Sequence, residues 1–163
     1  MKVSGKGSGR VSMAALTCYR AGERPRLFYR LVAHHGRRGE RRSLSEADYA
    51  ALLAAAHQQL RAPLILVWDN LNTHHSAAMH RFLDVHTDWL TVVALPAYAP
   101  DLNPVEGVWS QLKHALGNLT RHTTDQLATL CKRKLKQIQY RPELIVGFLA
   151  QTGLNLQPAA EPP

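Results

Sequence analysis

Two acidic residues of segment 64–116 stand where a catalytic site would place carboxylates. Asp69 directly follows the apolar run Leu64–Trp68, and Glu106 lies in the first turn of a helix that Pro104 is predicted to open. A carboxylate at the rim of a low-dielectric sheet needs a cation, hydrogen-bond donors or a proton. Because Mg²⁺ binds one or two carboxylates and leaves positions for phosphate oxygens, the two acids are candidates for a metal site that acts on phosphate groups.

Each acid also has a simpler explanation. Asp69 could be a turn residue that accepts bonds from its own backbone. With Asn103 as N-cap, Glu106 would occupy the third helical position, where a capping-box glutamate belongs, and on spacing alone this explanation is slightly favoured. Glu106 nevertheless shares a polar helix face with Ser110 and Lys113. A helix packed by the adjacent apolar stripe could direct Glu106 toward the end of the Asp69 strand.

The other polar residues near Asp69 give weaker evidence of a functional site. Asn70, Asn72 and His74 could position a nucleic-acid backbone or a water molecule, or could simply be loop and cap residues. A histidine zinc site is disfavoured, because the five-residue spacing of His75 and His80 places them on different faces of a helix. The sequence contains neither a glycine-rich phosphate loop nor a nucleophile elbow.

The charge predicts a polyanionic partner. The chain has 163 residues, enough for one compact domain, and a formal net charge of +8. The charge is concentrated in an arginine-rich segment, 20–42, and in a second cluster on the helix 124–139. Such clusters supply non-specific affinity for nucleic acids, although solvated faces that keep the protein soluble would look the same.

Localisation is predicted from what the chain lacks. It has no apolar run of about 20 residues, the length that spans a bilayer, and its first ten residues have no apolar core of a secretory signal. Cys18 and Cys131 stand outside any CxxC pattern, which suits a reducing compartment. We therefore expect a cytoplasmic protein without a membrane partner.

Hydrophobic periodicity predicts an α/β domain. The expected order is strand, strand, helix, strand, helix, strand, helix, helix, followed by a short helix from Pro142. The predicted strands are residues 10–19, 27–33, 64–68 and 90–95, and the predicted helices are residues 45–62, 73–86, 104–116 and 124–139. The first strand is apolar on both faces, and the last two read as fully buried. We expect a flexible basic start at 1–10, the domain at 11–150 and a disordered tail at 151–163.

Two segments resemble a known family. VWDNLNTHHS (67–76) and LPAYAPDLNPVEGVWSQLK (95–113) are similar to motifs of the DDE transposases, and within them to the insertion-sequence branch of the mariner superfamily. The second motif is the more specific, because LP-YAP-LNP-E--W is a long match. The resemblance covers about residues 10–150.

The resemblance implies an RNase H-like (retroviral integrase-like) fold, a mixed sheet flanked by helices. It also implies three carboxylates that bind two Mg²⁺ or Mn²⁺ ions, which activate water for DNA nicking and then a DNA 3′-hydroxyl for strand transfer. Asp69 matches the second carboxylate and Glu106 the third. Asn103 and Pro104 would fix the start of the helix that carries Glu106, and Trp109 would dock it.

The resemblance also assigns supporting residues, and the basic clusters supply the candidate DNA contacts. Asn70 and His74 would support the site beside Asp69. DNA, both element ends and target, would be the partner. The residues predicted to contact it are Arg37, Arg38, Arg41, Arg42, Lys113, Lys132, Arg133 and Lys136.

The sequence departs from the family pattern at its start. The family's first carboxylate lies at the end of a strand that precedes the hairpin, whereas residues 1–10 contain no Asp or Glu and no strand pattern. The family's helix-turn-helix region is also missing. We therefore expect the carboxyl-terminal part of a catalytic domain, lacking the first strand, with open sheet edges, marginal stability and no strand transfer by itself.

Two other functions remain open. The chain could be a non-catalytic DNA-binding or dimerisation remnant of a transposase, or a different RNase H-like nuclease. A homodimer, or pairing with an upstream transposase segment, would complete its site. No small-molecule cofactor is expected beyond the metal ions.

Overall fold

The computed structural model describes residues 1–4, 9–69, 76–96, 99–117 and 123–156. Its strands are β1 (Lys2–Ser4), β2 (Arg10–Cys18), β3 (Arg26–His34), β4 (Leu64–Trp68) and β5 (Leu90–Ala94). Its helices are α1 (Glu46–Leu60), α2 (Ala77–Val85), α3 (Val105–Ala115), α4 (Thr124–Gln139) and α5 (Pro142–Gln151). Within these ranges no helix is long and apolar enough to span a bilayer.

The strands form two sheets in the described part of the chain. β1, β2 and β3 make an antiparallel sheet with β2 in the middle, and β4 pairs in parallel with β5 in a separate sheet. The predicted hairpin and the predicted helices are all present, so the mixed α/β fold class is confirmed. A parallel pair requires a crossover, and α2 supplies it between β4 and β5.

The prediction that no strand precedes Val11 is wrong. Met1 and Met13 exchange two backbone hydrogen bonds, each of 2.8 Å, and Lys2–Ser4 continues the pairing along the outer edge of β2. Three residues carry no hydrophobic period, so backbone pairing rather than side-chain pattern creates this strand. Residues 2–4 of the segment predicted to be flexible thus form a strand, while residues 5–8 lie outside the described part.

The two faces of β2 pack into different hydrophobic clusters, as predicted. Val11 and Met13 are buried in the main core with α3, α4 and α5. Ala14 points to the opposite side and packs with Phe28 and with α1. Because one strand serves both layers, it joins the helices of the two faces into one domain.

The prediction that β4 and β5 are buried on both faces is wrong. Leu66 and Leu90 are buried, whereas Ile65, Val67 and Val93 are 74%, 51% and 47% exposed. The described elements cover one face of this sheet only. An unbroken apolar run predicts that both faces can be covered, but coverage depends on neighbours that the run does not specify.

The periodicity of segment 73–86 predicts Ala78, Phe82 and Val85 as the inward face of α2, and the structure differs from this prediction. Met79 is fully buried and Phe82 is half-buried, whereas Ala78 and Val85 are exposed. The buried stripe therefore starts one residue later than predicted. In a nine-residue helix, few apolar positions define the stripe, so its rotation is weakly determined by sequence.

The sequence predicts Ser45 as the cap of α1, with Asp48 three residues on, and this cap is present and joined to the hairpin. The Ser45 side chain accepts a hydrogen bond from the Asp48 N–H, while Asp48 Oδ2 accepts the Ser45 N–H at 2.8 Å. Asp48 Oδ1 accepts a bond from Arg30 Nε at 2.6 Å. Burial would raise the pKa of Asp48, but the bonds from Ser45 and Arg30 outweigh it and lower the pKa. Asp48 therefore connects α1 to β3 as a carboxylate.

We predict that Asp48→Asn destabilises the protein at neutral pH by about 1 kcal/mol, the size of a lost helix cap. Because the folded pKa lies below the ordinary value of 3.8, the contribution of Asp48 is present above that value. It is lost as the pH falls through the folded pKa. Urea unfolding at pH 7 and at pH 3 should therefore show a smaller difference between wild type and variant at the lower pH.

The matched control is Glu143→Gln, which removes an exposed carboxylate that bonds Arg141 at 2.9 Å. An exposed pair of this kind should leave the urea midpoint at pH 7 unchanged. Equal effects of the two substitutions at pH 7 would contradict the structural role of Asp48.

Candidate functional site

Asp69 lies directly beyond the carboxyl end of β4, as predicted. The Leu95 N–H donates to Trp68 O at 2.8 Å, so the β4–β5 pairing extends to the residue before Asp69. Asp69 is half-buried, and its Oδ1 atom is buried. Burial and, to a smaller extent, the charge of Asp69 raise the pKa of Tyr49 on α1. The Asp69 carboxylate therefore lies at the rim of the sheet, partly shielded from solvent.

Glu106 lies in the first turn of α3 and its side chain is exposed. The helix begins at Val105 with Pro104 as N-cap, one residue later than predicted, and Asn103 Oδ1 accepts the Val105 N–H at 3.1 Å. The capping-box explanation needs the Asn103 N–H, but this group donates to Pro100 O at 2.9 Å. The start of α3 thus holds Glu106 without using its carboxylate as a cap.

The apolar face of α3 fixes this helix in the main core. Trp109 and Leu112 are buried there, as predicted. Val108 is fully buried as well, which the predicted stripe omitted. Lys113 is exposed two turns after Glu106, about 10 Å along the helix axis.

Gly107 is a positioning residue that sequence reasoning missed. A Cβ atom at this position would lie 2.4 Å from Phe148 Cδ1 and 2.7 Å from Phe148 Cγ. The absence of a side chain therefore lets the aromatic ring of α5 pack against the turn that carries Glu106. The available signal was a glycine inside a predicted helix. Glycine there lowers helix stability by about 1 kcal/mol relative to alanine, so its presence indicates a packing requirement.

Asp69 and Glu106 both influence the amino group of Met1 electrostatically. The pKa of this group is lowered, mainly by burial, and the charges of Glu106 and Asp69 both oppose this shift. Lys113 acts on the same group with the opposite sign. The two predicted carboxylates and Lys113 are therefore all within electrostatic range of the Met1 amino group, which pairs with Met13 at the edge of β2.

The donor chemistry fits a hard divalent ion in part. Two carboxylates at an exposed rim can hold one Mg²⁺ or Mn²⁺ and leave positions for phosphate oxygens. Within the described ranges, however, no group of three or more His, Cys, Asp or Glu side chains is close enough to bind a metal. A groove of about 410 Å³ lies on α4 and includes neither carboxylate. An open site of this kind suits a polymer rather than an enclosed small molecule.

The structure places most of the predicted DNA-contacting residues on exposed surface. Arg37, Arg38, Arg41 and Arg42 lie in the loop between β3 and α1, and Lys132, Arg133 and Lys136 lie on α4. His35 Nε2 is 3.5 Å from Asp125 Oδ1, so the base of the arginine-containing loop contacts the start of α4. Asn70 and His74 lie outside the described residues.

A family model of the DDE superfamily endonucleases matches residues 3–130, well over half of the chain and including both carboxylates. The chain therefore belongs to the DDE superfamily endonuclease family, and the predicted RNase H-like fold agrees with this membership. No curated protein matches the chain significantly.

Solved structures of the Mos1 transposase are similar in outline. Its catalytic domain, in a structure with raltegravir and Mg, is 16% identical over 90% of this chain and 85% of that chain, with a TM-score of 0.47. The Mos1 mariner paired end complex with Mn is 14% identical over 90% of this chain and 56% of that chain, also with a TM-score of 0.47. Because both scores lie below 0.5, family membership rests on the sequence match.

We predict that Gly107→Ala lowers the free energy of unfolding by about 1–3 kcal/mol, because the new methyl group overlaps the Phe148 ring. Gly147→Ala is the matched control, since it also lies within a helix but its added Cβ would meet nothing within 4 Å. That substitution should stabilise by about 0.5–1 kcal/mol through helix propensity. Urea denaturation of both variants measures the difference, and a stabilising Gly107→Ala would show that the contact does not hold α3.

Proposed function

We propose that this chain is part of the catalytic domain of a transposase that moves an insertion sequence, with Asp69 and Glu106 as two of its metal ligands. The observation that carries the proposal is the position of the two acids in a chain that matches the DDE superfamily endonuclease model over residues 3–130. Their positions, at a strand end and at a helix start, agree with the second and third acids of the family motif. Cytoplasmic DNA, at element ends and target sites, is the proposed substrate.

The residues of the site have separable roles in this proposal. Asp69 and Glu106 would hold Mg²⁺ or Mn²⁺, and the bound metal would supply the positive charge that phosphodiester displacement by water or a 3′-hydroxyl requires. Asn103 and Pro104 fix the first turn of α3, and Trp109 anchors that helix in the core. Lys113 contacts a phosphate beside the cut, since it lies near the same region with a positive charge.

We further propose that the 163-residue chain alone does not complete the reaction. Two carboxylates fix a two-ion arrangement poorly, and the described residues bring no third ligand to them. A third carboxylate would come from an upstream transposase segment or from a partner copy. The second candidate function, a DNA-binding or dimerisation remnant, is favoured by this same shortage of ligands together with the exposed basic residues.

We predict that Asp69→Asn and Glu106→Gln each weaken Mn²⁺ binding by at least about tenfold, because each removes a charged oxygen ligand. Titration of Mn²⁺, followed through the electron paramagnetic resonance signal of the free ion, measures this affinity. Asp88→Asn is the control, since this exposed residue precedes β5. Equal Mn²⁺ affinity in all four proteins would contradict the metal assignment.

We predict that the purified chain binds duplex DNA with strong salt dependence but performs no Mg²⁺-dependent end cleavage or strand transfer. Arginine and lysine contacts to phosphate release counterions, so affinity should fall steeply between 50 and 200 mM salt, by about 10³ or more if six phosphates are contacted. Robust cleavage that Asp69→Ala abolishes would show that the chain is a complete enzyme. Cleavage that Asp69→Ala leaves unchanged would remove Asp69 from the active site.

A further inference from the structure

The segment 35–42, here called the arginine loop, has a defined conformation between β3 and α1. Gly36 and Gly39 adopt left-handed φ angles of 75° and 80°, which side-chain-bearing residues rarely accept. The Glu40 N–H donates to Arg37 O at 3.1 Å and closes a turn. The loop is thus folded back on itself over a few residues.

The base of the arginine loop is fixed to the rest of the domain. His34 is buried, and its Nε2 atom lies 3.1 Å from Ser12 Oγ of β2. His35 contacts Asp125 at the start of α4. The loop therefore starts from a rigid point on the hairpin.

Glu40 organises the backbone of the arginine loop. Its two carboxylate oxygens both accept the His35 N–H at 2.9 Å, and Oε2 also accepts the Arg37 N–H at 2.9 Å. These backbone bonds hold the pKa of Glu40 below its usual range, so the group is charged at neutral pH. The carboxylate therefore bonds backbone N–H groups rather than arginine side chains.

The arginine side chains of the loop remain largely available to a partner. Arg37, Arg38 and Arg42 are exposed, and within the described part of the chain no carboxylate lies within ion-pair distance of them. Arg41 has a long contact of 3.7 Å to Glu46 Oε2. Three or four guanidinium groups on one short loop supply the positive charge and hydrogen-bond donors that bind phosphate groups.

We propose that Glu40 is a positioning residue for DNA binding: it holds the arginine loop in the conformation that presents its arginines to the phosphates. The inference rests on the proposed DNA binding by these arginines. A carboxylate among them would otherwise only repel DNA. Ordering the loop backbone before binding reduces the backbone conformational entropy that is lost when the loop binds DNA.

The experiment compares the DNA affinity of three carboxylate variants by fluorescence anisotropy on a non-specific duplex over a range of salt concentrations. A pure charge effect predicts that removing any acid near the loop tightens binding. We expect instead that Glu40→Ala weakens binding by about three- to tenfold and makes the salt slope shallower by about one. Glu40→Gln, which keeps one acceptor oxygen, should fall between wild type and Glu40→Ala.

Glu46→Gln is the matched control. It removes a negative charge beside Arg41 without releasing a loop backbone bond, so it should bind DNA as tightly as wild type or more tightly. Hydrogen exchange at the His35 and Arg37 amides gives an independent readout, which should speed up in Glu40→Ala while the melting temperature is unchanged. Slow exchange at both amides in Glu40→Ala would overturn the inference even if the variant bound DNA weakly.

The failures of the two proposals are distinguishable. If the double variant Arg37→Ala, Arg38→Ala binds DNA as wild type does, the loop is not a DNA contact and the proposed interface is wrong. If that double variant binds weakly but Glu40→Ala binds as tightly as wild type or more tightly, the interface stands and the role of Glu40 is overturned.

Discussion

The relative placement of the two carboxylates depends on the packing of β2 rather than on a continuous sheet. Glu106 is held by α3, which packs on Val11 and Met13. Asp69 follows β4, and β4 lies in the second sheet. The connection between the two sheets is hydrophobic: Leu16 of β2 and Leu64 of β4 pack against both smaller clusters. A strand paired with both sheets through backbone hydrogen bonds would fix the position of one sheet relative to the other. Side-chain packing alone constrains that relative position less.

The elements that the sequence predicted correctly are those with local signals. The caps at Ser45 and Thr123 both form complete capping boxes, and β4 begins and ends where its apolar run does. The features that were missed depend on neighbours. β1 exists because the edge of β2 offers backbone partners, and Ile65 is exposed because nothing in the described chain lies over it. The hydrophobic pattern shows which residues can be buried, and the topology determines which of them are buried.

The candidate site also contains some features that local sequence signals predict and others that depend on neighbours. The positions of Asp69 and Glu106 could be predicted because the end of a strand and the start of a helix have local sequence signals. The bond from the Asn103 N–H to Pro100 O, which removes the capping explanation for Glu106, arises from the 3-10 turn Pro100–Leu102 and could not be read from spacing. The role of Gly107 could not be predicted for a different reason: the ring that packs against it is that of Phe148, on a helix distant in the sequence.

The distribution of the acids is compatible with a protein of net charge +8 that combines the proposed cation site with the proposed DNA surface. Several carboxylates bind groups within the structure: Asp48 bonds Arg30, and Glu40 accepts bonds from the loop backbone. The exposed arginines therefore stay available for the proposed contacts with phosphates. Asp69 and Glu106 lie elsewhere, beyond β4 and in the first turn of α3. A DNA backbone drawn in by the basic residues would be repelled by two bare carboxylates, so a divalent cation at these acids would serve the binding of DNA as much as its cleavage.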